Sequence, residues 1–145
     1  MELTGEDLNF FSEFERTTGV MPKDYYTSQE LLVFLVDMVS LGKAIGKKGI
    51  NIQRLRAAFR KNVVIVGDSP DIEIFLRSMF NNVEVISIEQ MDIMNEKNIV
   101  LTIDEKDRGI AIGKNGDRIK SAKEFLSRKF KAKLMLKTKR RLESI

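Results

Sequence analysis

The pattern A-I-G-K-x-G occurs twice in this chain, as AIGKKG at 44–49 and AIGKNG at 111–116, sixty-seven positions apart. Each copy is followed by an isoleucine three residues after its last glycine, Ile52 and Ile119. A glycine loop repeated at that interval within 145 residues points to a duplicated unit, because two small copies fill the chain and leave little for anything else. Each copy can bury only a modest core. The question is therefore what the loop holds.

Charge placement narrows the answer. Between Arg108 and Arg141 there are 13 Lys/Arg against two acids, Asp117 and Glu124, a local net charge of +11, while the rest of the chain carries −7. Within that acidic remainder, Gly42 to Lys61 holds Lys43, Lys47, Lys48, Arg54, Arg56, Arg60 and Lys61 with no acid. Both basic clusters coincide with the glycine loops, as expected of a surface that meets a polyanion.

Other chemistry is excluded by what the chain lacks. It has no cysteine and no histidine, which removes disulfides, zinc sites with the usual ligands, Ser-His-Asp triads and Cys-His pairs. No metal site, cofactor or catalytic residue is expected. The longest apolar run, Leu31–Val36, is far short of the ~20 residues of a membrane span, and MELTGEDLNF lacks a basic region followed by an apolar one. A cytoplasmic protein with no membrane partner is expected.

Periodicity predicts the same element order in both halves. Thr4–Thr17 reads as a helix with Thr4 as N-cap and Leu8, Phe11 and Phe14 as its apolar face. Val20–Tyr26 and LLVFLV at 31–36 read as a hairpin, followed by a short helix into Gly46, a helix over about 50–60 and a strand at 63–66. In the second half, Asp68 or Ser69 is the expected N-cap, with Pro70 in the first turn and Ile72, Phe75 (or Leu76) and Met79 facing inward. Strands at 83–91 and 98–103 flank a turn over 92–97; then come a short helix into Gly113, a helix over 117–130 and a strand at 132–137. TKRRLESI, at 138–145, has too little apolar content to order itself. The predicted core faces of the post-loop helices are Ile52, Leu55 and Phe59, and Ile119, Ala122 and Leu126.

Three phosphate-loop readings compete. A Walker loop needs four residues between its glycines and Ser or Thr after the lysine, whereas Gly42 and Gly46 enclose three and Lys47 precedes Lys48; Gly109, Gly113 and Asn115 fail likewise. A dinucleotide fingerprint needs G-x-G-x-x-G directly after a strand, and neither copy has its first pair. The third reading is a helix-loop-helix turn, Gly46-Lys47-Lys48-Gly49 and Gly113-Lys114-Asn115-Gly116, in which glycine lets the backbone turn tightly and approach a ligand. The next helix then offers its N-terminus to phosphate. That is the description of a GXXG loop clamping a nucleic-acid backbone.

With order, loop and duplication combined, the chain resembles the archaeal NusA-like transcription factors over about residues 3–137, most specifically at AIGKKG and its following helix and at AIGKNG with DRIK beyond. The resemblance implies an α/β fold, more narrowly α+β: two tandem type II KH domains, each α-β-β-α-α-β with a three-stranded mixed sheet covered by helices on one face. Expected boundaries are 1–67 and 68–138, with 139–145 a basic disordered tail. It further implies binding of single-stranded RNA in a nascent transcript and action on elongation, termination or antitermination. RNA polymerase or other transcription factors stand as further partners of a monomer.

Carried over residue by residue, Gly46, Lys47, Lys48 and Gly49 would hold phosphates in the first domain, and Gly113, Lys114, Asn115 and Gly116 in the second. Ala44, Ile45, Ala111 and Ile112 would form the groove floor, with Asn51, Arg54, Arg118 and Ser121 on its helical wall. No aromatic residue lies near either loop except Phe59 and Phe125 on helix faces, so aliphatic packing and hydrogen bonds to base edges are expected in place of ring stacking. Two alternatives remain. One is a KH protein of ribosome assembly or RNA processing; the other is a magnesium-dependent nuclease built on Asp104, Glu105 and Asp107.

Overall fold

The computed structural model describes residues 4–140. The chain divides into two compact units, Met1–Pro70 and Asp71–Ile145.

The first unit opens with helix α1, Gly5–Thr18. Thr4 caps it as the sequence predicts: its hydroxyl accepts from the Asp7 amide, and the Asp7 carboxylate accepts from the Thr4 amide, an arrangement in which the N-cap contributes about 1 kcal/mol. Gly19, in the left-handed region at φ 74°, ends it. The buried stripe is Phe10, Phe14 and Thr18, and Leu8 is 51% exposed. The helix is thus rotated from the predicted Leu8/Phe11/Phe14 face. Rings decide this: Phe10 packs at a tilt against Tyr25 and Phe59, with ring centroids 4.9 and 5.4 Å apart, and the Phe14 centroid lies 4.3 Å from that of Phe34.

Strands β1 (Asp24–Thr27) and β2 (Leu31–Asp37) form an antiparallel pair, and β3 (Asn62–Asp68) joins β2 in parallel, so β2 is central. That position explains the unbroken apolar run, since Leu31–Val36 are all buried. Between β2 and β3 the chain forms α2 (Leu41–Ile45), a tight turn, and α3 (Ile50–Phe59). Leu32, Phe34 and Val36 share a core with Phe10, Phe14, Ala44 and Leu55. Each fully buried large side chain contributes roughly 1.5–3 kcal/mol relative to exposure.

The second unit repeats the order: α4 (Ile72–Met79), β4 (Val85–Ile93), β5 (Glu96–Asp104), α5 (Arg108–Ile112), α6 (Asp117–Phe130) and β6 (Ala132–Lys139). Its sheet repeats the topology, with β4 antiparallel and β6 parallel to a central β5. Phe75, Leu76 and Met79 of α4 are buried, with Phe75 edge-on to Phe125 of α6.

Three predictions are corrected here. The cap of α4 is Asp71, whose carboxylate accepts from the Ile74 amide, so Pro70 precedes the helix instead of lying in its first turn. The predicted six-residue turn is a two-residue one at Met94 and Asn95, both at positive φ (52° and 65°), as a tight hairpin requires; Asp92, Glu96 and Lys97 in the flanking strand ends are charged, so the sequence does not mark them as strand. Finally, β6 runs through Thr138 and Lys139, held by pairing with Ile103 and Asp104 where apolar content was too low to predict order. The rest of the expected tail, 141–145, lies outside the described residues.

Candidate nucleic-acid interface

Both glycine loops adopt one backbone. Gly46 lies at φ 80°, ψ 165° and Gly113 at φ 78°, ψ 174°, a region essentially restricted to glycine. Space imposes the same choice. A Cβ on Gly46 would lie 2.8 Å from the Asn51 amide nitrogen, and one on Gly113 would lie 2.7 Å from the Cβ of Arg118. Gly49 and Gly116 are left-handed at φ 72° and 73°. Between the glycines, Lys48 and Asn115 occupy the left-handed region too, at φ 54° and 58°.

This backbone closes α2 and α5 and starts α3 and α6. The Gly46 and Gly113 amides donate to the Gly42 and Gly109 carbonyls, and those of Gly49 and Gly116 donate to Gly46 and Gly113. The Ile50 and Asp117 amides are likewise bonded, to Lys47 and Lys114 carbonyls. A phosphate at the loop would therefore meet its side chains and other first-turn amides, rather than those of Gly49 and Ile50. Lys47, Lys48, Lys114 and Asn115 are all exposed. The first loop has no acid in the first turn of its helix, whereas α6 begins with Asp117.

Of the residues expected to form the floor, Ala44 and Ala111 are buried, and Ile45 and Ile112 are half-buried. The residues expected on the wall differ in exposure. Arg54 is exposed on α3. Asn51, 9% exposed, donates to the Lys43 carbonyl at 3.2 Å and so fixes the end of α2 beneath the loop. Arg118, at the matching position, donates to the Met79 carbonyl at 2.6 Å, tying α6 to the C-terminal carbonyl of α4. Burial pulls its guanidinium below its ordinary pKa. Ser121 is fully buried and donates to the Arg118 carbonyl. Arg118 and Ser121, expected to face a ligand, thus spend these hydrogen bonds on backbone carbonyls of the second unit itself.

A second wall was missed. An open groove of about 470 Å³ lies in the second unit between Ile112, Ile119 and Lys123 on one side and Leu134, Leu136 and Thr138 of β6 on the other. Its signal was the alternation Leu134-Leu136-Thr138: the strand after the second helix must return alongside it, and its helix-facing residues border whatever the helices leave open. The groove is aliphatic with a basic rim.

The acids Asp104, Glu105 and Asp107 do not form a metal centre. Asp104 accepts from the Lys106 amide and Asp107 from the Glu84 amide, and no group of His, Cys, Asp or Glu among the described residues could hold a metal ion. No helix among the described residues is long and apolar enough to cross a membrane.

The model of the KH domain family matches residues 71–142. The "Probable transcription termination protein NusA" of Halobacterium salinarum is 28% identical over 131 residues, covering 90% of this chain and 93% of that protein. The protein of the same name from Methanococcus vannielii is 27% identical, covering 88% of this chain and 74% of its own length. The chain belongs to the archaeal NusA-like KH proteins. Its fold agrees with that placement. The crystal structure of APE1850, 33% identical, superposes with a TM-score of 0.75 over 94% of this chain and all of that one. In this NusA-like protein both glycine loops and the β6 groove thus sit in a framework shared with a solved relative.

Proposed function

We propose that this chain binds single-stranded RNA through two type II KH domains, spanning 1–67 and 68–138, and acts on transcript elongation, termination or antitermination. One observation carries the reading: two loops of identical backbone, each imposed by a glycine that no other residue can replace without strain, present Lys47-Lys48 and Lys114-Asn115 to solvent beside aliphatic surface. The loop lysines attract phosphates while glycine lets the backbone approach them. Ile112, Ile119, Leu134 and Leu136 offer bases an apolar bed in the second domain, and Ile45 does so in the first. Arg54 stands at the rim. Base edges are met by hydrogen bonds, and no step of catalysis is involved. The transcriptional role is supported by the names of the relatives, and RNA polymerase is the further partner that role suggests.

The test replaces Lys47 and Lys48 with Asp in one variant, and Lys114 and Asn115 with Asp in another. Each change puts like charge where phosphates sit and leaves the glycines alone. Affinity for single-stranded RNA, read by fluorescence anisotropy, is expected to fall at least tenfold, about 1.4 kcal/mol. Wild-type binding by both variants, with unchanged circular dichroism, would remove the loops from the site. Crosslinking in cells decides the pathway: nascent transcripts support transcription, and ribosomal RNA alone assigns the protein to ribosome assembly.

A further inference from the structure

The second unit has a feature that the first lacks. Helix α6 has 14 residues where α3 has 10, so α6 continues one turn further from its loop. Along the groove side of α6, Ile119 and Lys123 are followed at helical spacing by Ser127. Beyond the helix comes Lys131, the left-handed cap at φ 52°. Ser127 and Lys131 line a second open cavity of about 340 Å³, together with Lys97 of β5 and Lys133 of β6. The two cavities thus follow one another along the same α6–β6 seam. The first is bordered by Lys123 and Leu134, the second by Ser127 and Lys133.

We propose that Lys97, Lys131, Lys133 and Ser127 form a distal phosphate-binding subsite, which extends the RNA track of the second unit beyond the glycine loop and its groove. The inference deepens the RNA-binding reading and rests on it. Three lysines converge on the cavity against one acid, Glu96, which pairs with Lys133 at 2.7 Å on an exposed surface and leaves Lys97 and Lys131 as the cations for a ligand. Lysine at the cap is not the conformationally cheap choice, since glycine or asparagine fills a left-handed cap with less strain. A helix C-terminus repels anions, so only the side chains can make this end attractive to phosphate. Eight residues of helix separate Lys123 from Lys131, about 12 Å of additional track. At no less than about 3.4 Å per nucleotide, that accommodates two or three more. In the first unit the matching cap is Arg60, also left-handed at φ 56°, and the lysine after it, Lys61, is bound to the β1–β2 turn through Thr27 and the Ser28 carbonyl, both at 2.8 Å, so there the cap arginine stands without a second lysine turned toward a ligand.

The test uses the full chain with Lys97→Gln and Lys131→Gly combined. Glycine suits the cap conformation, so the fold is retained. Binding of a tetranucleotide and of a twelve-nucleotide single-stranded RNA is measured from low to moderate salt. The tetranucleotide affinity is expected to stay within twofold of wild type, and the longer RNA to bind five- to tenfold more weakly. The log-log salt slope for the longer RNA should flatten by roughly 1.4, about 0.7 for each lost contact. Unchanged affinity and slope for the longer RNA would overturn the subsite and leave the loops standing, as would equal weakening of both RNAs. Wild-type protein that binds neither RNA would overturn both the subsite and the RNA-binding reading.

Discussion

The two glycine loops share a backbone to within about 10° and the residues A-I-G-K-x-G, and differ at the second position between the glycines and in the side chains that flank and support them. The first carries Lys47 and Lys48 with no acid in the helix behind it; the second carries Lys114 and Asn115, with Asp117 opening α6. Beneath the first glycine, Asn51 supports one loop and Arg118 the other, by hydrogen bonds to different carbonyls. Glycine sets the shape, and the neighbours are free to set the charge. The first loop concentrates its positive charge at the turn, whereas the second unit spreads it along α6 and β6.

The largest expected effect tests whether the shape is as rigid in both. Gly113→Ala places a Cβ 2.7 Å from the Arg118 Cβ and 3.0 Å from its backbone nitrogen, neither of which can swing away; Gly46→Ala meets side-chain atoms of Asn51 and Ile50, which can give at the cost of the Asn51 bond to the Lys43 carbonyl. Strain at such a φ is worth about 1–3 kcal/mol, and overpacking adds a similar amount where nothing yields. Urea denaturation should therefore show Gly113→Ala costing about 3 kcal/mol or more and Gly46→Ala about 2 kcal/mol. Equal costs would mean that the supports beneath the loops are equivalent after all.

A smaller effect tests the difference in charge. Exchanging the left-handed residues, as Lys48→Asn and Asn115→Lys, should move affinity down in the first loop and up in the second. Stability should move the opposite way by about 0.5–1 kcal/mol, because asparagine tolerates that conformation better. Asp117→Asn should tighten RNA binding roughly two- to fivefold at low salt, and less as salt rises. If RNA affinity ignores all three changes, charge at the turn is not what separates the loops.

The smallest effect lies in acid. The Asp7 carboxylate, which completes the cap of α1, also accepts from the Tyr25 hydroxyl. That bond, followed by those from Thr4, lowers its pKa; burial first, and Asp7 second, raise that of Tyr25. A carboxyl with a lowered folded pKa contributes stability that is present above its ordinary value of 3.8 and lost as pH falls through the folded one. Tyr25→Phe should thus melt slightly below wild type at neutral pH, and the difference should close below about pH 4. The cap of α4 rests on Asp71, and the second unit should not respond to this substitution. A gap in melting temperature that widens in acid would contradict this assignment.

The sequence was most legible where local rules suffice. The Thr4 cap, the buried run of β2, the 117–130 helix and both loops follow from capping preference, burial and glycine. Choosing between Leu8/Phe11/Phe14 and Phe10/Phe14/Thr18 on α1 was not local, since both sets lie on helical stripes that share Phe14, and only Tyr25, Phe34 and Phe59 across the fold decide. Arg118 and Ser121 were misread for the same reason. A basic residue just after a phosphate-type loop suggests a ligand contact, and its bond to the Met79 carbonyl, thirty-nine residues away, has no sequence signature. The β6 wall and Lys131 could have been found, because the alternation and the position after the helix were both visible.

In each unit the strand that closes the sheet comes last and lies parallel to the central one, so the glycine loop is synthesised before the strand that backs it. On the ribosome this becomes a matter of time. At about 5–20 residues per second, roughly 4 to 14 seconds separate the completion of β3 from that of β6. During that interval the nascent protein has one complete set of sheet strands and a second glycine loop that lacks its final strand. A message cut or stalled between those points therefore encodes the whole first unit with its loop and all three strands, and leaves the second sheet without β6.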